Sequence, residues 1–296
     1  MAQKRKKSLE NVTVYDIGNS TSSFGEKAEY FLNIRINNTD SFDDIINHGA
    51  TSDERITYDY SDVNQELNDL LLQDFDRDAI RIYKPQHNKS LPKRAQTFLY
   101  KLSTVVNNNY VPIEPVHIED YIHDLMDNVL REAKFEDGIE LILMPCVLRL
   151  TIGDEGFATH ADKEGRRGTE IIWVLDEDKH KFDKRWKRGD VQLIANMIAA
   201  AQTNRSALQK LYPSKILGVK FDADRLYFYS ACVTEDYLDE LSELPAEKRC
   251  SVELVVNKFP NSRELSLSFY EHRKEIFMYL SAFRKYALSL EPFYVE

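Results

Sequence analysis

A chain of 296 residues is long enough to bury one large core or two modest ones, since compact domains cluster at roughly 100 to 200 residues. With 43% hydrophobic and 30% charged residues it has the balance of a globular protein, and its longest apolar stretch, near Leu141 to Ile152, is interrupted by Pro145 and Arg149 and falls short of the about 20 residues a membrane span needs. The net charge of −10 argues against a phosphate-binding surface, but the average conceals a reversal: residues 179–188 hold six Lys or Arg against one Asp, a local +5 that leaves −15 for the rest.

The N-terminus carries Lys4-Arg5-Lys6-Lys7 with no apolar run behind it, so there is no recognisable secretory signal, and nucleus or cytoplasm is the expected location. The basic tetrapeptide reads either as a short nuclear-import signal or as a basic end that touches nucleic acid without specificity. Residues 1–110 alternate polar stretches such as Asn37-Asn38-Thr39-Asp40 with short apolar runs, Tyr30-Phe31-Leu32 and Leu70-Leu71-Leu72, and are expected to form an accessory or packing region with a disordered start. From Pro115 the pattern sharpens. Ile118, Tyr121, Ile122, Leu125, Met126, Val129 and Leu130 recur at helical spacing and predict a helix ending near Lys134, before the Asp137-Gly138 turn.

Strand character follows at Leu141 to Ile152 and at Thr169 to Leu175, with a Gly-rich, charged connection between them. Residues 190–202 are Ala-rich and free of Gly and Pro, with Gly189-Asp190 as a cap, and predict a helix. Ile216 to Phe221 and Leu226 to Cys232 flank Asp222-Ala223-Asp224 as a β-hairpin; Ser251 to Val256 reads as a strand and Phe269 to Leu288 as a final helix. The order helix, three strands, helix, strands is an α/β arrangement around one mixed sheet flanked by helices. Cys146, Cys232 and Cys250 are odd in number and widely spaced, and are read as reduced core residues.

The chemistry-bearing segment is Phe157-Ala-Thr-His-Ala-Asp162, followed after fourteen residues by Glu177-Asp178-Lys179. Alternate strand residues share a face, so Glu177 and Lys179 are expected together, with Asp176 and Asp178 opposite. The apolar run Ile171 to Leu175 predicts a central strand whose charged end opens where α/β sheets place ligand sites. Phosphodiester hydrolysis needs charge neutralised on phosphorus and a water deprotonated near neutral pH, and a carboxylate-held divalent cation supplies both. Asp162 and Glu177 are the hard oxygen ligands suited to Mg²⁺ or Mn²⁺, and Lys179 would orient or deprotonate the attacking water. The cationic run supplies Lys181, Lys184, Arg185, Lys187 and Arg188 as substrate contacts, with Phe182 and Trp186 as stacking surfaces; Gln192 lies on the first turn of the next helix.

The segments Leu-Arg-Leu-Thr-Ile152, Ala-Thr-His-Ala-Asp162, Asp-Glu-Asp-Lys-His180 and Gln192 to Asn204 resemble the PD-(D/E)xK nuclease-like domains of fungal and oomycete Crinkler-type effectors, over roughly residues 115–290. The resemblance implies a restriction-endonuclease-like core in residues 111–296, Mg²⁺ dependence, a nucleic-acid substrate with DNA ahead of RNA, and Asp162, Glu177 and Lys179 as the catalytic set. Ala161 stands where the motif has proline, and no Leu-Phe-Leu-Ala-Lys-like segment is present at the N-terminus. Members of the superfamily often add a helix glutamate to the metal site, here Glu119 ahead of Glu132. His160 is a further candidate ligand or phosphate contact. A homodimer is the assembly that cutting both strands would call for. The competing expectation is a non-catalytic protein on the same fold that binds nucleic acid uncut or acts on a host partner.

Overall fold

The computed structural model describes residues 9, 11–63, 65–110, 118–136, 141–145, 147–159, 161–178, 188–208 and 214–292. Its frame is a mixed sheet of seven strands in the order β1 (Ile34–Asn38), β9 (Leu254–Phe259), β8 (Arg225–Val233), β7 (Ser214–Asp222), β6 (Glu170–Asp178), β5 (Lys163–Arg167) and β2 (Ile142–Pro145). β1 runs parallel to β9 and β6 parallel to β7; every other neighbouring pair is antiparallel. A separate hairpin pairs β3 (Arg149–Ile152) with β4 (Glu155–Ala158).

Two apolar layers cover the sheet. On one face pack the long helices α2 (Lys93–Tyr110), α3 (Ile118–Glu132) and α6 (Tyr270–Ser289), through rows such as Phe98, Leu102 and Val106, Ile122, Leu125 and Val129, and Ile276, Leu280 and Phe283. On the other lie α1 (Glu26–Phe31), α4 (Arg188–Leu208), α5 (Glu235–Ser242) and the β3–β4 hairpin. α4 is buried along Leu193–Ile194–Ala195 and Met197 to Ala201, because it runs between the sheet and the hairpin. Its alanines leave a narrow surface, which suits a helix with neighbours on both sides.

The helices expected at 118–134, 190–202 and 269–288 are present as α3, α4 and α6, with α4 longer at both ends. β6 is buried from Ile171 to Leu175 and lies inside the sheet, as its unbroken apolar run predicts. The expected single strand at Leu141 to Ile152 is instead two, β2 in the main sheet and β3 in the hairpin, and β2 ends at Pro145, which has no N–H to continue a ladder. The Gly-rich connection is itself structured as β4 and β5. Polar β5, Lys-Glu-Gly-Arg-Arg, lacks the usual strand composition; its pairing on both sides, with β2 and β6, makes it one. The strand expected at Ser251 to Val256 begins three residues later, as β9.

Residues before position 110 supply β1 to the same sheet and side chains to both apolar layers, Phe42, Ile45 and Phe98 to one and Phe24, Phe31 and Leu32 to the other. Cys250 is buried and Cys232 half-buried, both free thiols; Cys146 lies outside the described residues. Among the described residues no helix is long and apolar enough to cross a membrane.

Candidate functional site

The antiparallel register of β5 and β6 brings the two halves of the sequence motif to one end of the sheet. Lys163 pairs with Leu175, and the Asp162 N–H donates to the Leu175 carbonyl at 3.0 Å. Position 162 therefore lies against β6 immediately before Asp176 and Glu177, although fourteen residues separate it from Glu177 in the chain. The reversal is made at Gly168, whose φ of 63° lies in the left-handed region that glycine adopts without a Cβ clash. On the α3 side, Lys163 forms an ion pair with Asp127, which also lies 3.6 Å from His123 Nε2 and ties the start of β5 to the helix.

Asp162 is half-buried. The backbones of Glu119, Glu177 and Arg188 belong to α3, β6 and α4, while their side chains lie outside what the structure describes. His160, Lys179, Lys181, Lys184, Arg185 and Lys187 lie outside the described residues altogether. Because α4 begins at Arg188, Gln192 sits at the start of its second turn rather than on the first turn the sequence suggested, and its Nε2 donates to Asp176 Oδ1 at 3.3 Å. Asp176 is 2% exposed and shares the α4-facing row of β6 with Val174, whereas Trp173 and Leu175 face α3 and α6. Sequence reasoning set Asp176 on the face opposite Glu177 and assigned it no role. The available signal was its place two residues beyond Val174 in a strand buried on both faces, where an acid needs a partner.

Beyond Asp176 the polar region continues across the sheet. The parallel register sets Lys220 of β7 beside Asp176, and Lys220 is 4% exposed. Its Nζ is 3.2 Å from Asp190 Oδ1, the Tyr229 hydroxyl donates to the same oxygen at 2.8 Å, and Lys258 Nζ reaches Oδ2 at 2.5 Å. Lys258 also lies 5.0 Å from the centroid of the Tyr227 ring. Burial pushes the Asp190 carboxyl upward, but the Lys220 and Lys258 ammonium groups and its hydrogen bonds outweigh burial and hold it below the usual carboxylate range. Asp190 therefore stays ionised near neutral pH, on the first turn of a helix whose dipole also favours an anion there. The Glu29 carboxyl on α1 is raised, first by burial and then by the charges of Glu26 and Asp190.

What this arrangement can do is bounded by its donors. Carboxylates from adjacent strands are the hard ligands Mg²⁺ takes, and Mg²⁺ needs only one or two of them because it keeps several waters. By backbone position Asp162, immediately before β5, and Glu177, near the end of β6, stand at that end of the sheet. Among the described residues no group of three or more His, Cys, Asp or Glu is arranged to hold a metal ion. The chain matches no protein-family model and no curated protein sequence.

Proposed function

We propose that this chain is a metal-dependent nuclease of the PD-(D/E)xK type on a restriction-endonuclease-like core, hydrolysing phosphodiester bonds in nucleic acid, DNA ahead of RNA. Support comes first from the Asp162 N–H to Leu175 bond, which sets Asp162 next to the carboxylate end of β6, with Gln192 of α4 reaching that same end. It comes second from the element order α3, β2, β5, β6, α4, β7, β8 within one mixed sheet, the order the motif calls for.

In this reading Asp162 and Glu177 would hold Mg²⁺ or Mn²⁺, with Glu119 as a third ligand, and the ion would supply charge neutralisation at phosphate and a more acidic water. Lys179 would orient the attacking water or take up its proton. Asp176, held by Gln192, is a positioning residue that ties the start of α4 to the end of β6. The cations Lys181, Lys184, Arg185, Lys187 and Arg188, with His160, contact phosphates. They concentrate positive charge beside the site in a chain that is otherwise −15.

The test is purified full-length protein incubated with supercoiled plasmid and with RNA, in Mg²⁺, Mn²⁺ or EDTA. Metal-dependent nicking is expected, reduced roughly 100-fold or more in Asp162→Ala and in Lys179→Ala. No nicking with either metal, or variants that cut as fast as the parent, would overturn catalysis. The acidic surplus favours one second reading, a protein that holds nucleic acid uncut. It predicts salt-sensitive binding that weakens when Lys184, Arg185, Lys187 and Arg188 are neutralised.

A further inference from the structure

A cavity of about 550 Å³ opens at the other end of the strands, lined from β7 and β8 by Lys215 and Cys232, from β6 by Glu170, and from α6 by Tyr286. Lys215 and Lys220 are five positions apart on β7, about 16 Å at roughly 3.3 Å per residue, so this cavity is separate from the carboxylate end. Its size is that of a small-molecule site.

Lys215 is its distinctive group. The Nζ donates to the Ile46 carbonyl at 2.6 Å and lies 3.9 Å from the centroid of the Tyr286 ring. Among the described residues it forms no ion pair. Burial lowers the amine to about 8, against small opposing effects of Cys232 and Glu54. Roughly a quarter of the molecules then carry a neutral, nucleophilic amine at pH 7.5. The thiol beside it does not compete: Cys232 pairs with Lys215 in the strand register, burial raises its pKa, and its Sγ donates to the His48 carbonyl at 3.4 Å.

We propose that Lys215 is a covalent binding site for a small uncharged carbonyl compound, an aldehyde or ketone, held in this cavity as an imine. The amine lone pair attacks the carbonyl carbon and forms the C–N bond while the carbonyl π pair moves to oxygen, which takes up a proton as nitrogen loses one. The carbinolamine then loses hydroxide, protonated as it leaves, and the C=N bond forms with release of the second nitrogen proton. One amine and one carbonyl give one imine and one water, with no oxidant or reductant. His48 is the group assigned to shuttle the first proton: its neutral imidazole takes the proton that nitrogen loses on attack and passes it to the carbonyl oxygen, while solvent water protonates the departing hydroxide and takes up the second nitrogen proton. It lines the cavity, its Nδ1 lies 3.0 Å from Ser230 Oγ, and burial keeps its imidazole neutral near pH 7.

Charge selects the ligand. Asp53, Glu54 and Glu170 outnumber the cations Arg55 and Lys215 around the cavity, and Arg55 is ion-paired with Asp43, so a carboxylate or phosphate on the ligand is disfavoured. The Tyr286 hydroxyl, raised by burial, is neutral through this range.

The test treats the full-length protein with benzaldehyde and sodium cyanoborohydride and maps the reduced adducts by peptide mass spectrometry. At pH 7.5 Lys215 is expected to be labelled at least about tenfold faster than the mean surface lysine, since its neutral fraction is over a hundredfold larger than that of an ordinary lysine. Its rate should saturate with benzaldehyde, rise to half its maximum near pH 8, and fall several-fold when glyoxylate replaces benzaldehyde. Lys215→Arg should remove that adduct alone, and the wild-type map decides the matter if that variant does not fold. Labelling of Lys215 no faster than surface lysines, a rate linear in aldehyde, or an adduct on Cys232 would overturn the proposal.

Discussion

Replacing Asp190 by Asn tests whether the polar network beneath the carboxylate end is a structural anchor. The wild-type carboxylate receives Lys220, Lys258 and the Tyr229 hydroxyl at 3.2, 2.5 and 2.8 Å. These partners come from three different strands, so Asp190 fastens the start of α4 to β7, β8 and β9 at once. Asn keeps the shape but removes the charge, and its NH₂ would face an ammonium donor. Breaking a buried pair by removing one partner costs about 3–5 kcal/mol, and the partial exposure of Lys258 and Asp190 places this site near the lower end, about 3 kcal/mol. At roughly 2–4 °C per kcal/mol for a chain approaching this size, the melting temperature should fall by about 6–12 °C. Thermal and urea unfolding followed by circular dichroism at pH 7 measure both quantities. Because the folded carboxyl lies below its ordinary value of 3.8, its contribution is complete above that pH and is lost only as pH falls through the folded value beneath it. The gap between wild type and Asp190→Asn should therefore stay constant from pH 8 to 5 and close only below about 3.8. A loss under about 1 kcal/mol, or a gap already closing at pH 6, would refute the anchor. The triple variant Asp190→Leu, Lys220→Met, Lys258→Met should recover much of the loss, since it leaves no unpaired buried charge.

Two further substitutions test the frame around the site. A Cβ at Gly165 would stand 1.7 Å from Trp173 Nε1, in a fully buried region where Trp173 packs 4.9 Å from Phe135, so Gly165→Ala should lose about 3 kcal/mol in urea titrations and change the tryptophan fluorescence of the native state. A loss below 1 kcal/mol would mean that β5 stands further from β6 than described. Arg273 is fully buried and donates to the carbonyls of Leu71, Leu72, Phe75 and Leu267, pinning a loop in which Leu72 has a φ of 49°. Burial lowers its guanidinium to about 10, which leaves it charged at pH 7. Arg273→Met strands four acceptors at about 1 kcal/mol each, so stability should fall by about 4 kcal/mol and residues 71–75 should become the first site of limited proteolysis; unchanged cleavage there would count against it.

The sequence by itself determined the elements whose signal is local. The apolar stripe of α3, the alanines of α4 and the unbroken run of β6 each announce their element within a dozen residues, because periodicity and propensity are properties of neighbouring positions. It also marked the positions 162 and 177 that the strand pairing brings to one end of the sheet, and placed Gln192 near the start of α4. Tertiary structure alone decided β4 and β5, whose polar residues carry little strand preference and become strands through partners on either side. It decided that Asp176 is the carboxylate Gln192 reaches, that Asp190 gathers Lys220, Tyr229 and Lys258, and that Lys215, Cys232, His48 and Tyr286 share a cavity. Those groups lie tens to hundreds of positions apart in the chain. Burial, which gives each of them its hydrogen-bond demands and altered acidity, exists only once distant strands and helices have closed over them.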